Sequence, residues 1–222
     1  MRMIDLHTHS VFSDGELIPS ELIRRAQHKG YEAIAITDHA DRSNFDFIIP
    51  RIITVCRSVS KQTAIMAVPG IELTHIPPDD IAAVVQEARR MGVAIIVVHG
   101  ETIVEPVAPG TNEKALEADI DILAHPGLIS EKDVCRAASR GIYLEITSRK
   151  GHSLTNGHVA KLALHHGAQL VLNTDTHSPE DMLTDSMAQA VVTGCGLDKK
   201  YYDIMLTNSR NIINKRLSNP LG

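Results

Sequence analysis

Tryptophan is missing from this chain, and aromatic residues make up only 3% of its 222 positions. Stacking platforms for single-stranded nucleic acid need aromatic faces, so that mode of binding has little to build on. Three cysteines, Cys56, Cys135 and Cys195, lie too far apart for the paired spacing of thiolate zinc or redox sites. Positive charge is not in excess either: the formal charge is -5, which opposes electrostatic capture of DNA or RNA. No window of about 18 residues is apolar throughout, as a membrane span requires. The first residues read as a strand, without a basic and apolar leader, so a cytoplasmic protein is expected. No serine or cysteine motif of a covalent nucleophile is present.

What the chain does have is alternation. With 43% hydrophobic residues it can bury one full core, so a single domain over residues 1–222 is expected. Short Ile- and Val-rich runs occur at Met3–Leu6, Ala33–Thr37, Ala64–Val68, Ala94–Val98, Asp121–Ala124, Ile142–Ile146 and Gln169–Leu172. Continuous apolar runs of this length suit parallel strands buried on both faces. Helical patterns lie between them. Ile18, Leu22, Ile23 and Ala26 follow a 3.6-residue period around Pro19, and Ile81, Val84, Val85, Ala88 and Met91 do so after Pro78. Ser130 is placed to cap a helix whose inner face is Val134, Ala137 and Ala138. Gly30, Gly92, Gly141 and Gly167 each stand between a helical pattern and the next strand, where a helix stop belongs. Further helices are expected over residues 178–217.

Strand, helix, glycine, strand implies right-handed βα crossovers, in an open doubly wound sheet or a closed barrel. The polar residues at the strand ends decide between them. His7 and His9, with Asp14 beyond, follow the first run; Asp38-His39 the second; Glu72 the third; His99 the fourth; His125 the fifth; Asp175 and His177 the last. An open sheet gathers its functional residues at one switch point, whereas here six of seven strands contribute, which only a closed ring brings to one centre. The expected fold is α/β, a distorted (β/α)7 TIM-like barrel, with a twisted eight-stranded form as the alternative. His7 and His9 are two apart, as are Asp175 and His177, so each pair points to one side of its strand. Imidazole and carboxylate together suit Zn, Mn or Fe.

These motifs carry a resemblance. Leu6-His7-Thr8-His9-Ser10 with Ser13-Asp14-Gly15, then Thr37-Asp38-His39, Gly70-Ile71-Glu72, His99, His125-Pro126 and Asp175-Thr176-His177 resemble the PHP (polymerase and histidinol phosphatase) family across residues 4–177. The resemblance implies two or three divalent ions at the strand ends. It implies His7, His9, Glu72 and Asp175 for the first, Glu72, His99 and His125 for the second with Glu72 bridging, and Asp14, His39 and His177 for the third. Glu72, Asp14 and Asp175 are then the catalytic carboxylates. Three carboxylates cannot neutralise that many divalent ions, so such a site attracts a phosphate dianion in an otherwise acidic protein. Metal-assisted attack of water on a small phosphate monoester, histidinol-phosphate-like or nucleotide, follows.

Substrate contacts are expected at Arg149 and Lys150, after the sixth run, where the strand-end pattern lapses, and more weakly at Arg42. Glu145 faces either the barrel mouth or Arg149. Asp5 is expected to turn to solvent or a helix, and Asp38 either to orient an imidazole or to face water. Among the other histidines only His75 and His152 are placed to reach the mouth. The irregular stretch Gly100–Thr111 would lie over the active face. The expected partner is a small phosphorylated molecule, with nucleic acid only as a short oligonucleotide. Two alternatives stand: an amidohydrolase-type enzyme, disfavoured because no strand ends in a bridging lysine, and a non-catalytic metal-binding module. Metal identity, substrate and oligomeric state are left open by the sequence.

Overall fold

The computed structural model describes residues 2–218. Seven principal strands run parallel and nearly close into a barrel: β1 (Ile4–Asp5), β2 (Ala33–Ile36), β4 (Met66–Leu73), β5 (Ile95–His99), β6 (Ile122–Ala124), β7 (Tyr143–Thr147) and β8 (Leu170–Asn173), hydrogen-bonded in that order. A short β3 (His39–Ala40) pairs with the second half of β4. The ring is drawn shut between its first and last strands, where His9 N donates to Thr176 O at 2.8 Å and Asp175 N to His7 O at 3.0 Å. This is the (β/α)7 TIM-like barrel read from the strand-end residues.

The strands lie close to the predicted runs because apolar residues on both faces must be covered from inside and outside. The largest departure is β4, which continues through Pro69 and Gly70 to Leu73. Proline seldom sits mid-sheet because it cannot donate to the ladder. Here it falls at a change of partner: residues 66–69 pair with β2 and residues 72–73 with β3. Gly70 lets this junction close, since a Cβ there would stand 2.6 Å from Thr37 Cγ2.

Helices wrap the barrel as α1 (Pro19–His28), α2 (Phe45–Ser60), α3 (Ile81–Arg90), α4 (Thr111–Ala115), α5 (Glu131–Arg140), α6 (Asn156–His166), α7 (Asp185–Gly194) and α8 (Lys200–Leu217). Ser130 caps α5 by accepting from Asp133 N, and the four glycines expected to stop helices all have positive φ. Periodicity alone did not isolate α2, which carries Pro50 in its second turn. It persists because Ile48, Ile49, Ile52 and Cys56 are buried along one face against β4. Burial of each such isoleucine is worth about 1.5–3 kcal/mol. Helix α8 packs across β8 and β1, covering the seam where the barrel closes. No helix among the described residues is long and apolar enough to cross a membrane.

Candidate metal centre

All nine strand-end groups converge on one end of the barrel. His7 Nε2 lies 3.2 Å from Glu72 Oε1, and His9 Nε2 lies 3.1 Å from Asp175 Oδ1 and 3.8 Å from Glu72 Oε2. His125 Nε2 is 3.7 Å from Glu72 Oε1, and the rings of His99 and His125 are 4.4 Å apart. On the outer side, Asp14 Oδ1 stands 3.5 Å from His39 Nε2 and 3.1 Å from His177 Nε2. Glu72 is central: its oxygens face His7, His125, His39 and His9 from a fully buried position.

The side chains are aimed by hydrogen bonds on their far edges. Glu145 Oε1 is 2.8 Å from His7 Nδ1 and accepts from Asn173 Nδ2 at 2.8 Å, while Oε2 accepts from His125 N at 3.1 Å. His39 Nδ1 is 2.7 Å from Thr74 Oγ1, His99 Nδ1 3.1 Å from Gly100 O, and His177 Nδ1 2.9 Å from Asp175 O. For His7 and His99 this fixes the outer nitrogen and turns the other toward the centre. His39 Nδ1 instead lies between Thr74 and Glu72 with Nε2 toward Asp14, and His177 Nδ1 also faces Asp175 Oδ1 at 3.3 Å. Two of these residues, His125 and Asp175, also take left-handed backbone, with φ of 27° and 55°. Side-chain-bearing residues rarely adopt that region, and where they do the surrounding structure must enforce it.

Burial and crowding set the ionisation. Burial pushes Asp175 up to about 7, against the pull of His7. Burial opposes charge on Glu72 too, but His7 and His39 hold it well below the usual carboxylate range. Burial likewise works against protonation of His7, yet Glu145, Glu72 and Asp175 raise it well above an ordinary histidine. His9 and His125 go the other way, lowered by burial and by neighbouring imidazoles.

This is where a divalent ion fits. His7 Nε2, both ring nitrogens of His9, His125 Nδ1, Glu72 Oε1 and Asp175 Oδ1 are buried without a hydrogen-bond partner. Leaving polar atoms unpaired in a dry interior costs about 1–3 kcal/mol each, so so many in one spot point to a further partner. Among the described residues the donor atoms fall into overlapping groups: His7, His9 and Asp175; His9, Asp14, His39 and His177; His99, His125 and His152; and His7, His125 and Glu145.

Several expectations are corrected. Asp5 does not turn outward: it is fully buried and accepts from Thr174 Oγ1 at 2.5 Å, because residues two apart on a strand share a side and Asp5 lies directly below His7. Asp38 orients no imidazole and does not face water. It accepts from the backbone N–H and hydroxyl of Ser10 and of Ser13, clamping the loop that carries Asp14. Of the two orientations expected for Glu145 the structure shows the barrel mouth, and Arg149 pairs instead with Asp181 at 3.2 Å beside His177. Lys150 is exposed on the same loop, and Arg42 is drawn to Glu87 on α3 at 3.0 Å. His152 and Glu105, absent from the strand-end set, reach the centre from loops. A lone acid in a buried apolar strand was the available signal for Glu145; no local signal marked Glu105.

Comparison with known proteins agrees with this geometry. The PHP domain model matches residues 5–204. An uncharacterized protein of Methanocaldococcus jannaschii is 46% identical over 215 residues, covering 96% of this chain and 99% of that one. Ribonuclease P protein component 3 of Methanosarcina mazei is 27% identical, covering 97% and 90%. Among solved structures, a chain of an archaeal ribonuclease P with mature tRNA shares the fold at a TM-score of 0.76 and 16% identity, covering 98% and 92%. A Listeria monocytogenes protein assigned as a histidinol phosphatase shares it at 0.63 and 14%, covering 83% and 99%. The chain belongs to the PHP domain family.

Proposed function

We propose that this protein is a metal-dependent phosphoesterase that hydrolyses a small phosphate monoester, of the histidinol phosphate or nucleotide kind. The observation that carries the reading is the set of buried, unpartnered nitrogens and carboxylate oxygens converging at one barrel end. His7, His9, Glu72 and Asp175 would hold one ion, Glu72, His99 and His125 a second, and Asp14, His39 and His177 a third. Zn, Mn and Fe all suit this donor set. Such ions supply Lewis acidity and a nucleophile drawn from water near neutral pH.

The protein's own groups do the rest. Glu72 and Asp175 concentrate negative charge in the dry centre, and Asp14 does so at the solvent edge. Glu145 and Thr74 lock the imidazoles of His7 and His39 so that they need not reorganise during turnover. Arg149 and Lys150, on the β7–α6 loop, would meet the phosphate from outside; the Asp181 partner holds Arg149 beside His177. Arg42, paired to an outer helix, is the weaker candidate. An amidohydrolase-type reaction is less favoured, since the position between His7 and His125 is filled by Glu72 and not by a lysine.

A second reading comes from the likeness to ribonuclease P protein component 3, a role in an RNA-containing assembly. The formal charge of -5 works against direct RNA contact, and the intact donor set favours hydrolysis. The test is elemental analysis of protein purified without added metal, then hydrolysis of p-nitrophenyl phosphate and a phosphometabolite panel. Turnover that disappears with chelator and returns with metal is expected. Metal-loaded protein without turnover, recovered bound to RNA, would overturn the enzyme reading.

A further inference from the structure

The structure assigns two loop residues, Glu105 and His152, to the cation subsite at His99 and His125, where a loop-borne carboxylate and a third imidazole complete the donor set. This rests on the reading of the barrel mouth as a metal centre, and adds two ligands that no strand end supplies.

The placement is specific. His99 is committed on its Nδ1 edge to Gly100 O, and its Nε2 lies 3.0 Å from Glu105 Oε2. His152 is pinned on its Nδ1 edge by Thr102 Oγ1 at 2.7 Å, and its Nε2 lies 3.3 Å from Glu105 Oε1. One carboxylate therefore faces two imidazoles whose other edges are already fixed, with the more exposed His75 Nε2 farther off at 3.8 Å. The His152 ring stacks on His125 at 4.2 Å, and donor atoms of His99, His125 and His152 lie within 4.8 Å of one another. His152 is 7% exposed, between the exposed Lys150 and Leu154.

The loop that carries Glu105 is held at both ends. Glu101 N donates to Asn112 Oδ1 at 3.0 Å and Asn112 N to Glu101 Oε1 at 2.9 Å, while Asn112 Nδ2 reaches Pro126 O at 2.9 Å. Val104 packs against Gly151, where a Cβ would stand 3.4 Å from it, so the Glu105 loop and the His152 loop are in contact. Charge gives the reason for a carboxylate here. His99, His125 and His152 are neutral donors when they ligate, and Glu72 is shared with the inner subsite. A divalent ion held by three imidazoles gains from a further anion on its open side. Glu105, 38% exposed on its side chain, provides one from the solvent edge.

The test is competition between the metal-free protein and a chromophoric chelator for Zn2+, which reads binding without turnover. The variants are Glu105→Gln and His152→Gln, with Glu113→Gln as a control; Glu113 is paired to Lys132 on the outer helices. Loss of even an outer partner of a ligand typically costs about 10–100-fold in metal affinity. Both loop variants are therefore expected to weaken one bound ion at least about tenfold, leaving the others and the control at wild-type affinity. Glu105→Gln lies at the surface and keeps the test open should His152→Gln fail to fold. Wild-type Zn2+ affinity in Glu105→Gln would overturn the inference while leaving the metal centre intact. A wild-type protein that takes up no Zn2+ would overturn the centre itself.

Discussion

Glu145 and His7, 138 residues apart in sequence, are joined in the barrel interior: Glu145 Oε1 lies 2.8 Å from His7 Nδ1. That contact aims His7 Nε2 at Glu72 Oε1, 3.2 Å away. Glu145 also accepts from the backbone of His125, so one carboxylate positions a ring on each side of Glu72. Glu145→Gln removes the charge and sets an amide donor against Asn173 Nδ2 or His125 N. Metal affinity is expected to fall about 10–100-fold, with a parallel loss of kcat/KM. Isothermal titration with Zn2+ or Mn2+ checks this, and unchanged affinity would remove Glu145 as a positioning residue.

Metal-free protein should lose stability on the alkaline side. Burial opposes protonation of His39, but Glu72 and Asp14 raise it to about 9. A base so raised contributes stability that is complete below its unfolded value of about 6.5 and lost as pH rises through 9, on the order of 3 kcal/mol. Asp175, pushed up by burial to about 7, loses its contribution earlier, as pH rises from its ordinary value of 3.8 through about 7, so it blunts the acid limb and adds nothing above neutrality. His9 and His125, lowered by burial, act on the acid side: their contribution is present above 6.5 and declines as pH falls below it. The melting temperature of chelated protein is thus expected to peak near pH 6.5 and fall toward pH 9.5. Saturating metal should flatten the alkaline limb, because ligation replaces the protons.

Asp14 should separate the outer subsite from the inner pair. It touches His39 and His177 at the rim and is half-exposed, while Glu72 and Asp175 are buried. Asp14→Asn is expected to lose one ion per chain by elemental analysis and retain the rest. Loss of every ion would show instead that the subsites load as a unit.

Arg149→Ala should raise KM several-fold for a phosphate monoester with little change in kcat, since the guanidinium sits at the rim and not among the buried ligands. Part of any effect passes through Asp181, which also accepts from His177 N at 3.0 Å. Asp181→Asn, measured alongside, apportions the two. An unchanged KM in Arg149→Ala would exclude it as a phosphate contact.

Gly127→Ala should destabilise the mouth. Gly127 has φ of 62°, and a Cβ there would stand 1.8 Å from Glu101 O. The left-handed backbone alone costs about 1–2 kcal/mol for a residue with a side chain, and the clash adds to it. A fall in melting temperature of at least about 4 °C is expected, together with weaker metal binding, because Glu101 anchors the Glu105 loop.

Much of the barrel can be read from local pattern. The runs at residues 33–37 and 94–98 became β2 and β5 almost residue for residue, and Ser130 capped α5 as its spacing implied. Helix α2 was obscured by Pro50, because a single helix breaker outweighs apolar spacing until the helix has a sheet to pack on. Asp5 turns inward by the same two-residue spacing that pairs His7 with His9, and only its partner Thr174, 169 residues away, had to come from the closed barrel.

The sequence by itself determined which residues stand at the strand ends, because strand periodicity and two-residue spacing are local and each donor belongs to its own βα unit. Closure of the ring decided how those donors face one another. Tertiary structure also decided that Glu145 aims His7, that Arg149 turns to Asp181, and that Glu105 and His152 meet over His99. The Glu145–His7 contact spans the seam where β1 and β8 come together, while Arg149–Asp181 and Glu105–His152 join loops that follow different strands, which sequence spacing alone does not bring into register.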